Sequence, residues 1–351
     1  MEKRLTTKME TSTNSVNLHS EHIVTFLKDN GGNHVSHLFF LNDKEVYWAQ
    51  RQTVLIVYKK IANKLVVLGD PIGPDASIPD AIREFHQYCE YQGLKPIFYQ
   101  VSPAFMQFYH ETGYRFVKLG EEGKVNLQTF TLAGKKGSKL RTRFNKFARN
   151  GFQFQVVNPP YSKEFLQQLK EVSDSWLGGQ KEKTFSVVSF SEEYVSRFHV
   201  GILTDENDQI IAFATLADDF RETINIDLMR KRADSPHGTM DVLFIHILEW
   251  AKENQYQTCS LGMAPLSNVG SCKYSFATEK FIRLAYLYGN SLYNFKGLKE
   301  FKEKFACTWE PKYLAYKKTF LPATFVQLVL LINKRKTNRQ MLRVQKKEEI
   351  G

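Results

Sequence analysis

Cysteine is scarce in this 351-residue chain: Cys89, Cys259, Cys272 and Cys307 are the only four, and no two form a C-x-x-C pair. That argues against a zinc ribbon or a thioredoxin-like centre and suits a reducing compartment. Long apolar runs are missing too. The longest, 320–332, contains Pro322 and falls short of the ~20 residues that span a bilayer. The opening MEKRLTTKMETSTNSVN lacks the apolar stretch of a signal peptide, so residues 1–17 read as a disordered leader. There is no Walker A loop, G-x-S-x-G elbow or H-E-x-x-H. The nine histidines carry no metal signature. His19/His22 and His34/His37 are spaced three apart, but no cysteine or carboxylate completes a ligand pattern, so both pairs read as structural or surface residues and no metal is expected. These absences describe a soluble cytosolic protein or domain.

What is present is ordinary globular material, with 42% apolar and 24% charged residues over a length suited to two domains. The charge is not balanced: 48 Lys plus Arg against 37 Asp plus Glu leave +11. An excess of that sign points to an anionic partner, either nucleic acid or an acidic membrane surface.

Hydrophobic periodicity predicts a helix over 19–32 that stops at Gly31–Gly32, then strands at 37–41, 46–50, 53–60 and 64–73 as an antiparallel meander. A helix follows at 77–93, with Ser77 as N-cap and Gly93 as stop, then a strand (95–102), a short helix (103–113) and a strand (114–127). The second half repeats the order: helix 162–179, hairpin 199–220, strand 221–231, helix 239–256 and strand 257–267. A meander followed by helix, strand, helix and strand is the order of an N-acetyltransferase-like domain. The expected fold is therefore α/β (α+β): tandem GNAT-type domains, each a mixed sheet flanked by helices, joined by a basic helix. The corresponding boundaries are a leader (1–17), a first domain (18–130), the linking helix (131–151), a second domain carrying the site (152–319), and an apolar helix with a basic tail (320–351).

The linking helix carries Lys135, Lys136, Lys139, Arg141, Arg143, Lys146 and Arg149 and no acidic residue, with Leu140, Phe144 and Phe147 as a narrow apolar stripe. A solvated linker would tolerate such a run; the unbalanced sign favours an anionic ligand. Asp227 and Arg230 stand three apart in IDLMRK. In a regular strand they would face opposite sides, so a bulge or a strand end is needed before both line one site; otherwise they read as an ordinary ion pair. The polar loop 232–238 then feeds a helix start, where free N–H groups suit an anion. Only Gly238 remains there of the alternating glycines of a coenzyme A cradle, and Asp241 lies in the first turn, which argues against that donor. In LGMAPLSNVG (261–270), Gly262 and Pro265 mark either a plain strand exit or a backbone bent around substrate. The segment 293–316 interleaves lysines with Phe295, Phe301, Phe305 and Trp309 and reads as an amphipathic helix. The C-terminus joins the apolar 320–332 to a run with Lys334, Arg335, Lys336, Arg339, Arg343, Lys346 and Lys347, which fits an anionic membrane interface or a core helix with a solvated tail.

Taken in order, GDPIG (69–73), KLRTRFNKFARNGF (139–152), VSDSWLGG (172–179), EKTFSVVSF (182–190), AFATL (212–216), DLMRK (227–231), GTMDVL (238–243), LGMAPLSNVG (261–270), YNFKGLKEFKEKF (293–305) and the W-x-P-x-Y-L-A of 309–315 span nearly the whole chain. This set resembles the cytosolic catalytic region of bacterial phosphatidylglycerol lysyltransferases, the multiple peptide resistance factors. The resemblance implies that an amino acid moves from its tRNA ester to a hydroxyl of phosphatidylglycerol, with lysine favoured over alanine, at the cytoplasmic side of the bacterial membrane. The cationic lipid product would confer resistance to cationic antimicrobial peptides. Partners would be aminoacyl-tRNA, phosphatidylglycerol and the anionic membrane surface, and the family's membrane-embedded N-terminal region is not in this chain. One activated ester replaces another, so no cofactor, ATP or metal is called for.

By the same resemblance Asp227, Arg230 and Lys302 form the catalytic set. Arg230 would grip the lipid phosphate, Asp227 would orient or deprotonate the glycerol hydroxyl, and Lys302 would stabilise charge at the ester carbonyl or the departing ribose oxygen. Gly238, Met240, Asp241, Gly262, Met263 and Lys304 would line the substrate, and Lys139, Arg141, Arg143, Lys146 and Arg149 would meet tRNA or lipid phosphates. Two other readings keep these residues: a tRNA-dependent transferase acting on a peptidoglycan precursor, and a non-catalytic RNA or acidic-lipid binder.

Overall fold

The computed structural model describes residues 20–180, 182–276, 279–280 and 295–333. The expected leader and the basic tail after Asn333 lie outside the described residues. Helix α1 (20–30) is followed by β1 (Glu45–Ala49), β2 (Val54–Ile61), β3 (Lys64–Leu68), α2 (Ile78–Tyr91), β4 (Lys95–Val101), α3 (Met106–Glu111) and β5 (Arg115–Asn126). After α4 (Gly134–Arg149) come β6 (Gln153–Val157), α5 (Lys163–Leu177), α6 (Glu192–Val195), β7 (His199–Thr204), β8 (Ile210–Asp218), β9 (Thr223–Lys231), α7 (Thr239–Glu253) and β10 (Thr258–Pro265). Helix α8 (Phe295–Glu303), β11 (Thr308–Tyr316) and α9 (Leu321–Asn333) complete the described chain.

The strands form one mixed 11-stranded sheet in the order β1-β2-β3-β4-β11-β5-β10-β9-β8-β7-β6. Its parallel pairs are β3 with β4 and β9 with β10, each bridged by a helix, α2 and α7, as a parallel crossover requires. Strand β5 pairs with β10, while β11 inserts between β4 and β5, so each half lends its last strand to the other. Alternation along β2 feeds both faces. Leu55 and Val57 join a core with α1, α5 and α9, and Val54, Ile56 and Tyr58 join one with α2 and α3. Beyond the centre of the sheet, α4, α7 and α8 cover the second half with a third cluster around Phe244 and Phe147.

Three local expectations change. Residues Ser36–Leu41 form a buried 3₁₀ turn, where a strand was expected at 37–41. The Asn33 side chain accepts from the Val35 N–H and the Ser36 hydroxyl caps the Asn33 N–H, folding the chain back after α1. A short apolar run fits a buried turn as well as a strand. Helical spacing in 293–316 ends near Phe305; the alternating TWEPKYLAY is β11, and Pro311 could not sit inside a helix. The Ser77 side chain makes no cap bond, because it closes a 3₁₀ turn and Pro79 opens α2. By contrast, the Ser162 hydroxyl accepts from the Phe165 N–H at 3.1 Å and starts α5 where expected.

Candidate active site

Strands β9 and β10 share a ladder only from Thr223–Thr258 to Asn225–Ser260, and beyond it they run on unpaired with each other. Both are irregular at that point. Strand β10 shifts register against β5 between Ser260 and Met263, with Gly262 at φ +71°. Between the pairs Ile226–Leu216 and Met229–Ala214, two residues on β9 (Asp227 and Leu228) oppose one on β8 (Thr215), which is a bulge at Asp227–Leu228. The Thr215 hydroxyl accepts the Leu228 N–H inside it at 3.1 Å. Ile226 packs with the α7 cluster, while Leu228 turns to the opposite core. The Asp227–Arg230 spacing required such an irregularity for both side chains to reach one face.

Asp227 is the hub. Its Oδ2 accepts the Tyr194 hydroxyl at 2.6 Å and lies 3.4 Å from His37 Nε2. Short helix α6 delivers Tyr194, started by the Ser191 hydroxyl, and the 3₁₀ turn after α1 delivers His37. Burial and the neighbouring carboxylate push Tyr194 well above the usual phenol range, so it stays a donor. Burial lowers the His37 pKa despite the opposing pull of Asp227, so the ring is neutral at pH 7.

Lys302, at the end of α8, reaches β10. Its Nζ donates to the Gly262 and Met263 carbonyls at 3.0 Å each. The residue is only 4% exposed, and burial lowers its pKa to about 7, against the pull of Glu122 and Asp227. A Cβ on residue 262 would make only ordinary contact with this Nζ, at 3.7 Å, so it is the positive φ and not a lack of space that selects glycine there. Arg230 is held by Glu182, Nη2 to Oε2 at 3.1 Å, while Glu182 Oε1 accepts the Phe190 N–H. The structure thus places Asp227 and Lys302 within one electrostatic neighbourhood and gives Arg230 a carboxylate partner of its own. Met263 packs partly buried against the adjoining core.

The start of α7 is differently used. Asp241 is 3% exposed and bound by both Arg143 and Lys304, the latter at 2.7 Å. Arg143 passes over Gly238, which has φ +100° and would bring a Cβ within 3.1 Å of the arginine stem. Asp241, Arg143 and Lys304, expected to contact substrate, therefore tie α4, α7 and α8 together. Met240 packs against the same cluster. Lys139, Arg141, Lys146 and Arg149 are exposed on α4, whose Leu140 and Phe147 are buried. Sequence reading missed Tyr194, His37, Glu182 and Glu122 as site members. His37 was visible only as one of a histidine pair, and Glu182 only as the first residue of EKTFSVVSF.

Among the described residues no cluster of three or more His, Cys, Asp or Glu could hold a metal ion, and no helix is long and apolar enough to cross a membrane. Residues 24–316 match the family model described as phosphatidylglycerol lysyltransferase, C-terminal. The phosphatidylglycerol lysyltransferase of Bacillus subtilis is 43% identical over 318 residues, covering 90% of this chain and 37% of that protein. The Staphylococcus haemolyticus enzyme of the same name is 42% identical over 82% of this chain and 34% of its own length. The solved structure of L-PGS from Bacillus licheniformis aligns with a TM-score of 0.81 at 43% identity, covering 90% of this chain and 97% of that one. This chain therefore spans little more than a third of its full-length relatives, and it belongs to the phosphatidylglycerol lysyltransferase family as its C-terminal domain.

Proposed function

We propose that this chain transfers a lysyl group from aminoacyl-tRNA to a glycerol hydroxyl of phosphatidylglycerol, at the anionic cytoplasmic surface of the membrane. The observation that carries the reading is the Asp227 carboxylate, fixed by Tyr194 at the β9 bulge and sharing its field with the buried Lys302. In the transfer, the lipid hydroxyl oxygen bonds to the ester carbonyl carbon, the bond to the ribose oxygen breaks, and the hydroxyl proton ends on that ribose oxygen. Asp227, an acceptor, orients that hydroxyl and takes its proton or directs it onward. Lys302 spends two N–H groups on the β10 carbonyls, and its third donor serves the developing oxyanion. Arg230 offers a guanidinium to the lipid phosphate, which competes with Glu182 for it. The exposed cations of α4 and the +11 total supply the field for two polyanionic substrates.

The test is direct. Incubating the protein with labelled Lys-tRNA and phosphatidylglycerol, then separating the lipids, should give labelled aminoacyl lipid; Ala-tRNA should serve less well. No labelled lipid, or transfer to a lipid-linked muropeptide instead, would refute the reading.

A further inference from the structure

Glu122 on β5 is completely buried, and one of its oxygens acts on the backbone that holds Lys302. Its Oε1 accepts the Ser260 hydroxyl at 2.6 Å, and the Ser260 Oγ in turn accepts the Gly262 N–H at 3.1 Å. Ser260 is completely buried as well. Both bonds sit at the β10 irregularity: between the pairs Ser260–Lys124 and Met263–Glu122, Leu261 and Gly262 oppose Gly123 alone. In a regular strand successive carbonyls point to opposite edges, so one ammonium could not take two neighbours. Here Gly262, at φ +71°, turns the backbone, and the Gly262 and Met263 carbonyls converge on Lys302 Nζ at 3.0 Å each. The other Glu122 oxygen, Oε2, lies 3.0 Å from Lys312 Nζ. Lys312 also donates to Glu310 at 2.7 Å and to the Ser102 hydroxyl at 3.1 Å, so β11 anchors the carboxylate from behind.

We infer that Glu122 and Ser260 are positioning residues: through the Gly262 N–H they hold the β10 bulge in the form that aims the Lys302 ammonium. The inference rests on the transfer reading above and adds what sets the place of its oxyanion donor. Two observations separate this from packing. A strand that only had to fill space at 122 and 260 would carry apolar residues, since a buried carboxylate and a buried hydroxyl must each find partners. The same carboxylate also keeps the donor charged. Against the burial that lowers the Lys302 pKa, Glu122 from β5 and Asp227 from β9 draw it towards the protonated form. Glu122 is itself faced by His34, Lys312 and Lys124. The first half of the chain, through β5, thus sets the donor that the β9–β10 site uses.

NMR of protein isotope-labelled at lysine Cε reads the Lys302 titration, with its signal assigned by loss in Lys302→Met. Glu122→Gln keeps an acceptor for Ser260 but removes the charge, so the midpoint should fall by roughly one pH unit. Ser260→Ala cuts the link to Gly262 and releases the two carbonyls, so the midpoint should fall there too. With labelled Lys-tRNA and phosphatidylglycerol, the kcat of Ser260→Ala should drop roughly tenfold to a hundredfold with little change in either KM. Ser260→Thr returns the hydroxyl on a residue that suits a strand and should restore both readings. Melting temperatures accompany each variant, and Ser260→Ala, the smaller change, decides the matter where Glu122→Gln does not fold. Folded Ser260→Ala with the parental midpoint and kcat would overturn the inference and leave transfer standing. So would a lower kcat with an unmoved midpoint that Ser260→Thr does not restore, which is the mark of packing. A lowered midpoint in Ser260→Ala, from a parent that makes no aminoacyl lipid, would keep the link from Glu122 to Lys302 and remove the transfer reading.

Discussion

Replacing Lys302 by methionine should change how stability depends on pH. Burial moves the Lys302 pKa from 10.5 down to about 7, which is about 5 kcal/mol against the charged form. Between those two values the unfolded chain holds a proton that the folded chain has released, so this group makes folding more favourable as pH rises from 7 towards 10. Below pH 7 both states are protonated and the full penalty stands. The methionine variant lacks the term. Its stability relative to the parent should therefore be greatest at pH 6 and fall by about 1.4 kcal/mol per pH unit above 7. Losing the donor to the Gly262 and Met263 carbonyls offsets the absolute gain but not the slope. Urea unfolding of both proteins at pH 6, 7, 8 and 9 reads this directly. Parallel stability curves would show that Lys302 is not desolvated, and the placement of its ammonium beside the reacting ester would fall with it. In activity, the ammonium role predicts turnover that declines as pH rises through about 7.

Other expectations follow from the same geometry. Tyr194→Phe keeps the ring and removes the donor to Asp227, so kcat should fall about tenfold or more with little change in the KM for tRNA; an unaffected kcat would make Tyr194 a packing residue. Reversing the exposed charges Lys139, Lys146 and Arg149 should flatten the salt dependence of tRNA association by about two log units per log unit of salt, read by filter binding; an unchanged slope would return α4 to a solvated role. Arg143→Met leaves buried Asp241 with Lys304 alone and should cost about 2 kcal/mol by denaturant titration, an effect on folding and not specifically on lipid binding. Arg230→Lys keeps the charge but loses the fork, so the KM for phosphatidylglycerol should rise more than that for tRNA.

The element order was legible wherever one period ruled a segment. Helices α2 and α5 fall within the expected 77–93 and 162–179, and the β7–β8 hairpin reads straight from alternation. What was hidden depends on long-range packing. Strand β11 follows a lysine-and-aromatic helix with only a few residues between, and its place between β4 and β5 is set by partners some 200 residues away. The three-residue spacing of Asp227 and Arg230 left a bulge, a strand end or an ordinary ion pair open, and the structure has the bulge. The partners of Asp227 were not, since Tyr194 and His37 reach it from a four-residue helix and a 3₁₀ turn with no pattern of their own. Asp241 shows the converse: a carboxylate at a helix start looks like a ligand contact until Arg143 and Lys304 are seen to close on it.

The most direct test of the central claim is turnover per folded molecule for Asp227→Asn, measured with labelled Lys-tRNA and phosphatidylglycerol alongside melting temperature. The substitution keeps shape and removes the charge that Tyr194 and His37 surround. The account predicts a folded protein whose turnover is down by roughly 10²-fold or more. A stable Asp227→Asn protein with full turnover would contradict it.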